Sequence, residues 1–388
     1  MNKYIITFLF LLSLSLWKPL FAQQNIYPVP SQIISPEIHP DGTVTFRLYM
    51  PYARQVVIKG DWLPRGSVAM QFKEGMWIYH SSLLTPDLYI YTFNVDGTDL
   101  IDPNNVYQIR DASSLYSIFQ VSGKESECYK VQDVPHGTVA YRWYSSPSLQ
   151  KQRRICVYTP VGYENSAQTY PVLYLLHGMG GDEESWMNLG RVSQILDNLI
   201  AAGYVVPMIV VMSNGNVVQQ AAPGESVEGF YLPTFRLPRT MNGEFETSFK
   251  DILTFVDKNY RTIPDKEGRA VAGLSMGGFH SLYIAANYPG SFGYIGLFSP
   301  AIRPEAQAGV YEQIDKKLRK QAEAGYKLYW IGIGKDDFLY EDVKAFRLQM
   351  DTLKVPYVYR ETDKGHVWSN WRNYLVEFLG QIFTPSSY

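Results

Sequence analysis

Arg269-Ala270-Val271-Ala272-Gly273-Leu274-Ser275-Met276-Gly277-Gly278 is the stretch that decides the fold. An apolar strand runs into G-x-S-x-G, and a helical pattern opens directly behind it. That strand–turn–helix context is what a nucleophile elbow requires. The glycines suit a tight, strained turn where side chains would collide with neighbouring backbone. The serine then projects from the carboxyl end of a strand at the amino end of a helix. Working outward, strands are predicted at 172–177, 205–212, 294–298 and 328–333, all near-continuous apolar runs. Pro207 falls inside one of them, so that strand is expected to begin after it. Helical spacing is predicted at 191–202, 245–260, 277–287, 311–324 and 375–382, and Glu341, Asp342 and Asp351 also fall on a helix. Apolar strands alternating with helices imply a parallel sheet covered on both faces, the α/β class.

Upstream of about residue 125 the chain changes character. Residues 43–49, 55–59, 75–79 and 88–95 read as short strands with turn punctuation, the last ending at Asp96-Gly97. Such spacing predicts an all-β sandwich over 23–122. The polar segment 123–135 reads as a linker, and the α/β domain is expected over 136–384. The first 22 residues read as a signal peptide: Lys3, an apolar run from Ile5 to Leu16, and a small residue at Ala22. The run is shorter than the ~20 residues that span a bilayer, so no membrane span is expected. Cleavage removes Lys3 and Lys18 and no acid, taking the formal charge of -2 two units further negative. Delivery to the periplasm or the exterior follows. With 35 Lys and Arg against 37 Asp and Glu, no basic excess supports nucleic-acid binding. At 46% hydrophobic and 19% charged, the chain has material for packed cores. Two cysteines, Cys128 and Cys156, would allow one disulfide in an oxidising compartment. No His or Cys cluster has zinc spacing, so no metal and no cofactor is expected.

A serine is a weak nucleophile and needs a base. Beyond Ser275 the only histidines are His280 and His366. His280 is five residues into the elbow helix, about 140° around from the nucleophile, which disqualifies it. His366 follows the 357–361 strand in a loop, Lys364-Gly365-His366-Val367-Trp368. The acid that orients it must hold the imidazole tautomer. Asp336 and Asp337 follow a strand directly, Asp363 lies three residues before the histidine, and pattern alone leaves the three open. Oxyanion donors are expected at the Met276 amide, next to the nucleophile, and at the Met179 amide in the loop His177-Gly178-Met179-Gly180-Gly181.

Two resemblances attach to these residues. Arg47-Leu48-Tyr49-Met50-Pro51, Val57-Ile58-Lys59-Gly60-Asp61-Trp62, Gly75-Met76-Trp77, residues 89–97 and Asp102-Pro103-Asn104 resemble the early-set immunoglobulin-like domains of carbohydrate-binding module family 48. Val157-Tyr158-Thr159-Pro160-Val161-Gly162-Tyr163, Leu175 to Gly181, Gly273 to Gly278, Gly334-Lys335-Asp336-Asp337-Phe338-Leu339 and Gly365-His366 together resemble carbohydrate esterase family 1 over residues 136–384. That resemblance implies an α/β-hydrolase domain preceded by an immunoglobulin-like sandwich. It implies Asp337 as the triad acid, because the second acidic position of the family motif leads into Phe-Leu, and it implies Met179 and Met276 as oxyanion donors. Trp186 has a counterpart in many members.

The function these readings imply is a secreted serine esterase removing hydroxycinnamoyl (feruloyl) groups from plant cell-wall polysaccharide such as arabinoxylan. Ser275, Asp337 and His366 form its triad. His177, Trp186, Phe230, Tyr231 and Trp368 are candidate substrate contacts, Phe230 and Tyr231 lying in an irregular aromatic stretch over 214–245. An acetyl xylan esterase and an enterochelin-type esterase share the framework, and a non-catalytic sugar-binding protein is disfavoured by the intact triad set. Trp62, Trp77, Tyr79 and Tyr91 are expected in the sandwich core, since strand alternation turns half of such residues inward.

Overall fold

The computed structural model describes residues 33–230, 234–304 and 307–384. The chain divides into Met1–Ile34 and Ser35–Tyr388, and the description below concerns the second unit. The expected signal peptide and Tyr231 lie outside the described residues. Among those described, no helix is long and apolar enough to cross a membrane.

The amino-terminal strands are β1 (Glu37–Ile38), β2 (Val44–Tyr49), β3 (Val56–Gly60), β4 (Ser67–Ala69), β5 (Gln71–Lys73), β6 (Met76–His80), β7 (Leu88–Val95), β8 (Thr98–Leu100), β9 (Gln108–Asp111) and β10 (Ser114–Gln120). They build two antiparallel sheets, β1-β2-β6-β5 and β4-β3-β7-β10-β9, with β8 paired to β7. Alternation sends Val44, Phe46 and Leu48 of β2 and Tyr91 and Phe93 of β7 into one shared core. Trp62 stacks on Phe46 with centroids 5.3 Å apart, and Trp77 and Tyr79 pack against the same cluster. The sandwich is thus held by interdigitated aromatics, as the immunoglobulin-like reading requires.

The second domain contains β11 (Thr138–Ser146), β12 (Lys151–Thr159), β13 (Val172–Leu176), β14 (Ile209–Ser213), β15 (Arg269–Leu274), β16 (Tyr294–Phe298), β17 (Leu328–Gly334) and β18 (Val358–Thr362). Its helices are α1 (Ser185–Asn188), α2 (Val192–Ala201), α3 (Glu244–Asn259), α4 (Met276–Asn287), α5 (Ile314–Ala324), α6 (Tyr340–Leu353) and α7 (Trp368–Leu379). One eight-stranded sheet runs β11-β12-β14-β13-β15-β16-β17-β18. It is antiparallel through β11, β12 and β14 and parallel from there to β18. Alternation divides each strand between two cores. Val172, Tyr174 and Leu176 join one with α3, α4, α5 and α6. Leu173 and Leu175 join the other with α2 and α7. Burial on both faces is why these strands read as unbroken apolar runs. This is an α/β-hydrolase architecture behind a sandwich.

Two elements differ from expectation. The last helix starts at Trp368, not near 375, because Trp371, Tyr374, Leu375, Phe378 and Leu379 follow a 3–4 spacing that buries them together. The β11–β12 hairpin precedes the first expected strand; β11 is an edge strand with Tyr141 and Trp143 exposed. Cys128 and Cys156 are both free, and burial pushes their thiols up to about 11 and about 12.

Within the segment 123–135, residues 127–130 are docked. Tyr129 is buried and donates to Asp87 Oδ1 at 2.6 Å, and Asn198 of α2 donates to the Lys130 carbonyl at 2.8 Å. Arg372 of α7, also buried, donates to Asp87 Oδ1 at 2.6 Å, to Leu88 O at 3.0 Å and to Leu189 O at 2.8 Å. One guanidinium therefore ties the sandwich strand β7 to the α/β domain, with Leu88 and Tyr129 continuing the apolar core across the junction.

Candidate active site

The elbow forms where β15 runs into α4. Ser275 adopts φ 53°, ψ -114°, a region that non-glycine residues enter only under constraint. The constraint is visible: the Ser275 amide donates to Phe298 O at 2.9 Å, and its carbonyl accepts from the Ala301 amide at 3.0 Å. A Cβ on Gly277 would lie 2.3 Å from Leu176 O, and one on Gly273 2.5 Å from the Gly277 carbonyl carbon. Both glycines are dictated by backbone packing, so the sequence motif and the turn are one fact. Met276 is the first helical residue, and amides of a first turn have no acceptor within their helix. That leaves its N–H for an oxyanion, aligned with the positive end of the α4 dipole.

The loop after β13 lies over the nucleophile. A Cβ on Gly178 would stand 3.5 Å from Ser275 Cβ. Gly181 N donates to Gly178 O at 3.1 Å, closing the turn that carries the Met179 amide. His177 fixes this turn from below. Its Nε2 accepts from the Gly215 amide at 2.8 Å, so its proton sits on Nδ1, which donates to Gly178 O at 2.7 Å. Burial lowers its pKa from 6.5 to about 4, so the ring is neutral.

His366 follows β18. Its Nδ1 lies 2.9 and 3.1 Å from the two oxygens of Asp337, which follows β17 and is buried. The Leu339 amide donates to Asp337 Oδ1 at 2.9 Å. A carboxylate at Nδ1 puts the proton there and leaves Nε2 as the acceptor, the tautomer a general base needs. Of the three acids that pattern leaves open, this one meets the imidazole. Asp336 is exposed, and Asp363 pairs with Lys335 at 3.2 Å on the surface. Phe338 and Trp371 flank the His366 ring at 4.6 and 4.8 Å. Asn370 Nδ2 donates to the Asp363 and Gly365 carbonyls, each at 3.0 Å, and so holds the histidine loop. Asn370 carries no sequence signal of its own; only the fold turns it toward that loop.

The candidate substrate contacts separate. His177 and Trp186 are 2% and 1% exposed, and Trp186 Nε1 donates to Leu176 O at 2.9 Å. Their polar atoms are taken by backbone, so both are props beneath the site rather than substrate contacts. Trp368 is half-buried, edge-on to Trp186 at 5.4 Å. Phe230 stands fully out in solvent beside Gly224. The exposed Phe235 contributes its backbone 3.2 Å from a Cβ on Gly180, at the oxyanion loop.

A family model described as "Esterase: Putative esterase" matches residues 146–382. The chain belongs to this esterase family. It is 31% identical over 271 residues, 68% of its length, to an endo-1,4-beta-xylanase/feruloyl esterase of Xylanibacter ruminicola, and it spans 36% of that relative. A solved ferulic acid esterase superposes with TM-score 0.51 at 27% identity, over 63% of this chain and 97% of that one. The enterobactin esterase of Shigella flexneri superposes with TM-score 0.63 at 18% identity, over 87% of this chain and 92% of that one. The last likeness covers more than the α/β domain spans, so in fold it extends into the sandwich.

Proposed function

We propose that this protein is a secreted serine carboxylic-ester hydrolase that removes feruloyl groups from plant cell-wall polysaccharide such as arabinoxylan. The observation that carries the reading is the strained Ser275 beneath Gly178, in a fold whose His366 is paired with the buried Asp337. Ser275 Oγ attacks the ester carbonyl while His366 Nε2 takes its proton. The Met179 and Met276 amides hold the oxyanion of the tetrahedral intermediate. The imidazolium, steadied by Asp337, returns the proton to the departing sugar alkoxide. Water then repeats the sequence on the acyl-enzyme, releasing the free acid.

The feruloyl preference is supported by the relatives named above and by exposed aromatics at the rim, Phe338 against His366 and Phe235 beside the oxyanion loop. Planar rings of this kind stack on a cinnamoyl group. Secretion rests on the leader-like first 22 residues. A second reading, a catechol-ester hydrolase, is favoured by the two-domain likeness to the Shigella enterobactin esterase. Turnover of methyl ferulate, an acetylated xylan and a 2,3-dihydroxybenzoyl-serine ester by the purified protein separates them. Methyl ferulate leading by ~10-fold or more in kcat/KM supports the proposal, since ~1.4 kcal/mol of differential transition-state binding yields that ratio. A lead by either other ester overturns the acyl assignment.

A further inference from the structure

The turn joining β9 to β10, Asp111-Ala112-Ser113, leaves the sandwich and reaches both loops that carry the site's chemistry. Ala112, at φ 50°, places its Cβ 2.7 Å from where a Cβ on Gly180 would lie, so turn and oxyanion loop touch at a point only glycine leaves open. Arg110, at the end of β9, donates through Nη1 to Ala112 O at 3.2 Å and through Nη2 to Asp182. Asp182 closes the oxyanion loop. It is 3% exposed, its other oxygen accepts from the Glu184 amide at 3.0 Å, and its own amide donates to Ser185 Oγ at 3.0 Å. Burial raises the Asp111 carboxyl above its usual range, and the Trp368 indole, two residues after His366, is near enough to offset part of that rise.

Charge makes the first of these contacts matter most. Asp182, Glu183 and Glu184 are consecutive acids, and burial together with the Asp182 charge holds the Glu183 and Glu184 carboxyls above the usual range. Arg154 takes Glu183 at 2.7 Å and also pairs with Glu184, while Arg110 takes Asp182. A buried carboxylate deprived of its partner must move toward water or a new donor. Asp182 lies three residues from Met179, so its displacement would reach the amide assigned above as an oxyanion donor.

We propose that this turn of the sandwich belongs to the catalytic apparatus. Arg110, acting through Asp182, is a positioning residue for the oxyanion loop, and the esterase domain is fully active only with the sandwich seated on it. The inference rests on the ester-hydrolase reading but not on the acyl group. The full chain is therefore assayed with p-nitrophenyl acetate, comparing wild type, Arg110→Ala and Arg110→Lys. Binding of phenylboronic acid, which forms a tetrahedral adduct on a nucleophilic serine, and the thermal midpoint are measured alongside. A displaced oxyanion donor should lower kcat by ~10–100-fold in Arg110→Ala, with KM within about threefold. Boronate affinity should fall in step with kcat, and Arg110→Lys, which restores a cation to Asp182, should recover most of both. If Arg110→Ala does not fold, Arg110→Gln decides by the same criteria. A kcat within about twofold of wild type, or a kcat loss with boronate affinity unchanged, overturns the positioning role while leaving the ester-hydrolase reading intact. A wild-type protein inert toward p-nitrophenyl acetate and methyl ferulate overturns both.

Discussion

Replacing His177 by alanine should destabilise the protein by an amount that depends on pH in a defined way. Above neutrality the variant loses two hydrogen bonds: the buried Gly215 amide is left unpaired, whereas the Gly178 carbonyl keeps its bond from the Gly181 amide. The unpaired amide costs about 1–3 kcal/mol and the other lost bond about 0.5–1.5 kcal/mol, so the variant should be less stable by about 1.5–4.5 kcal/mol at pH 7.5. The wild type carries a liability the variant lacks. Its imidazole has a pKa of about 4 in the fold against 6.5 ordinarily, so the fold favours the neutral ring. Stability from that ring is complete above about pH 6.5 and is lost as pH falls toward 4. At ~1.36 kcal/mol per unit the whole loss is about 3.4 kcal/mol, of which about 2.5 kcal/mol has developed by pH 4.5. The stability gap between wild type and His177→Ala should therefore shrink by about 2.5 kcal/mol from pH 7.5 to pH 4.5. Urea unfolding of both proteins at both pH values measures it, and other titrating groups cancel in the difference. A gap constant to within about 0.5 kcal/mol would refute the buried, neutral, doubly bonded histidine.

Asp337→Asn should lower kcat by about three to four orders of magnitude by spoiling the His366 tautomer, whereas Asp336→Asn should stay within about twofold. Steady-state rates on one soluble ester decide the order. Arg372→Ala removes the buried cation from Asp87, which keeps Tyr129 and the more distant Lys364, and should cost about 2–4 kcal/mol by denaturant unfolding; a cost below about 1 kcal/mol would mean the junction is not held there. A chain beginning at residue 136 should lose stability or solubility for the same reason, while residues 23–122 alone should show no retardation on xylan or starch in affinity electrophoresis.

The elbow was legible because Gly273 and Gly277 have no room for a Cβ, so the same steric demand writes the motif and makes the turn. The central strands were legible because both faces are buried. Pro207 marked where β14 could not yet have begun, and that strand starts at Ile209. The start of α7 was not legible: Trp368 reads as part of the histidine loop, and the spacing of Trp371 and Tyr374 points to a helix only once the core they enter is known. Nor could spacing choose between Asp336 and Asp337, which differ only in which side of one turn they occupy. His177 and Trp186 sit near the motif in sequence, yet strand alternation and packing point them inward. Arg372 with Asp87 and Arg110 with Asp182 join residues 285 and 72 positions apart, and no local pattern announces such pairs.

The central claim is that Ser275 carries the acyl group between the two halves of the reaction. Wild-type protein mixed with methyl ferulate, quenched in acid early in turnover, digested and weighed by mass spectrometry tests it most directly. The account expects one feruloyl group on the peptide containing Ser275, and neither adduct nor turnover in Ser275→Ala. An acyl group on another residue, or near-wild-type turnover by Ser275→Ala, would contradict it.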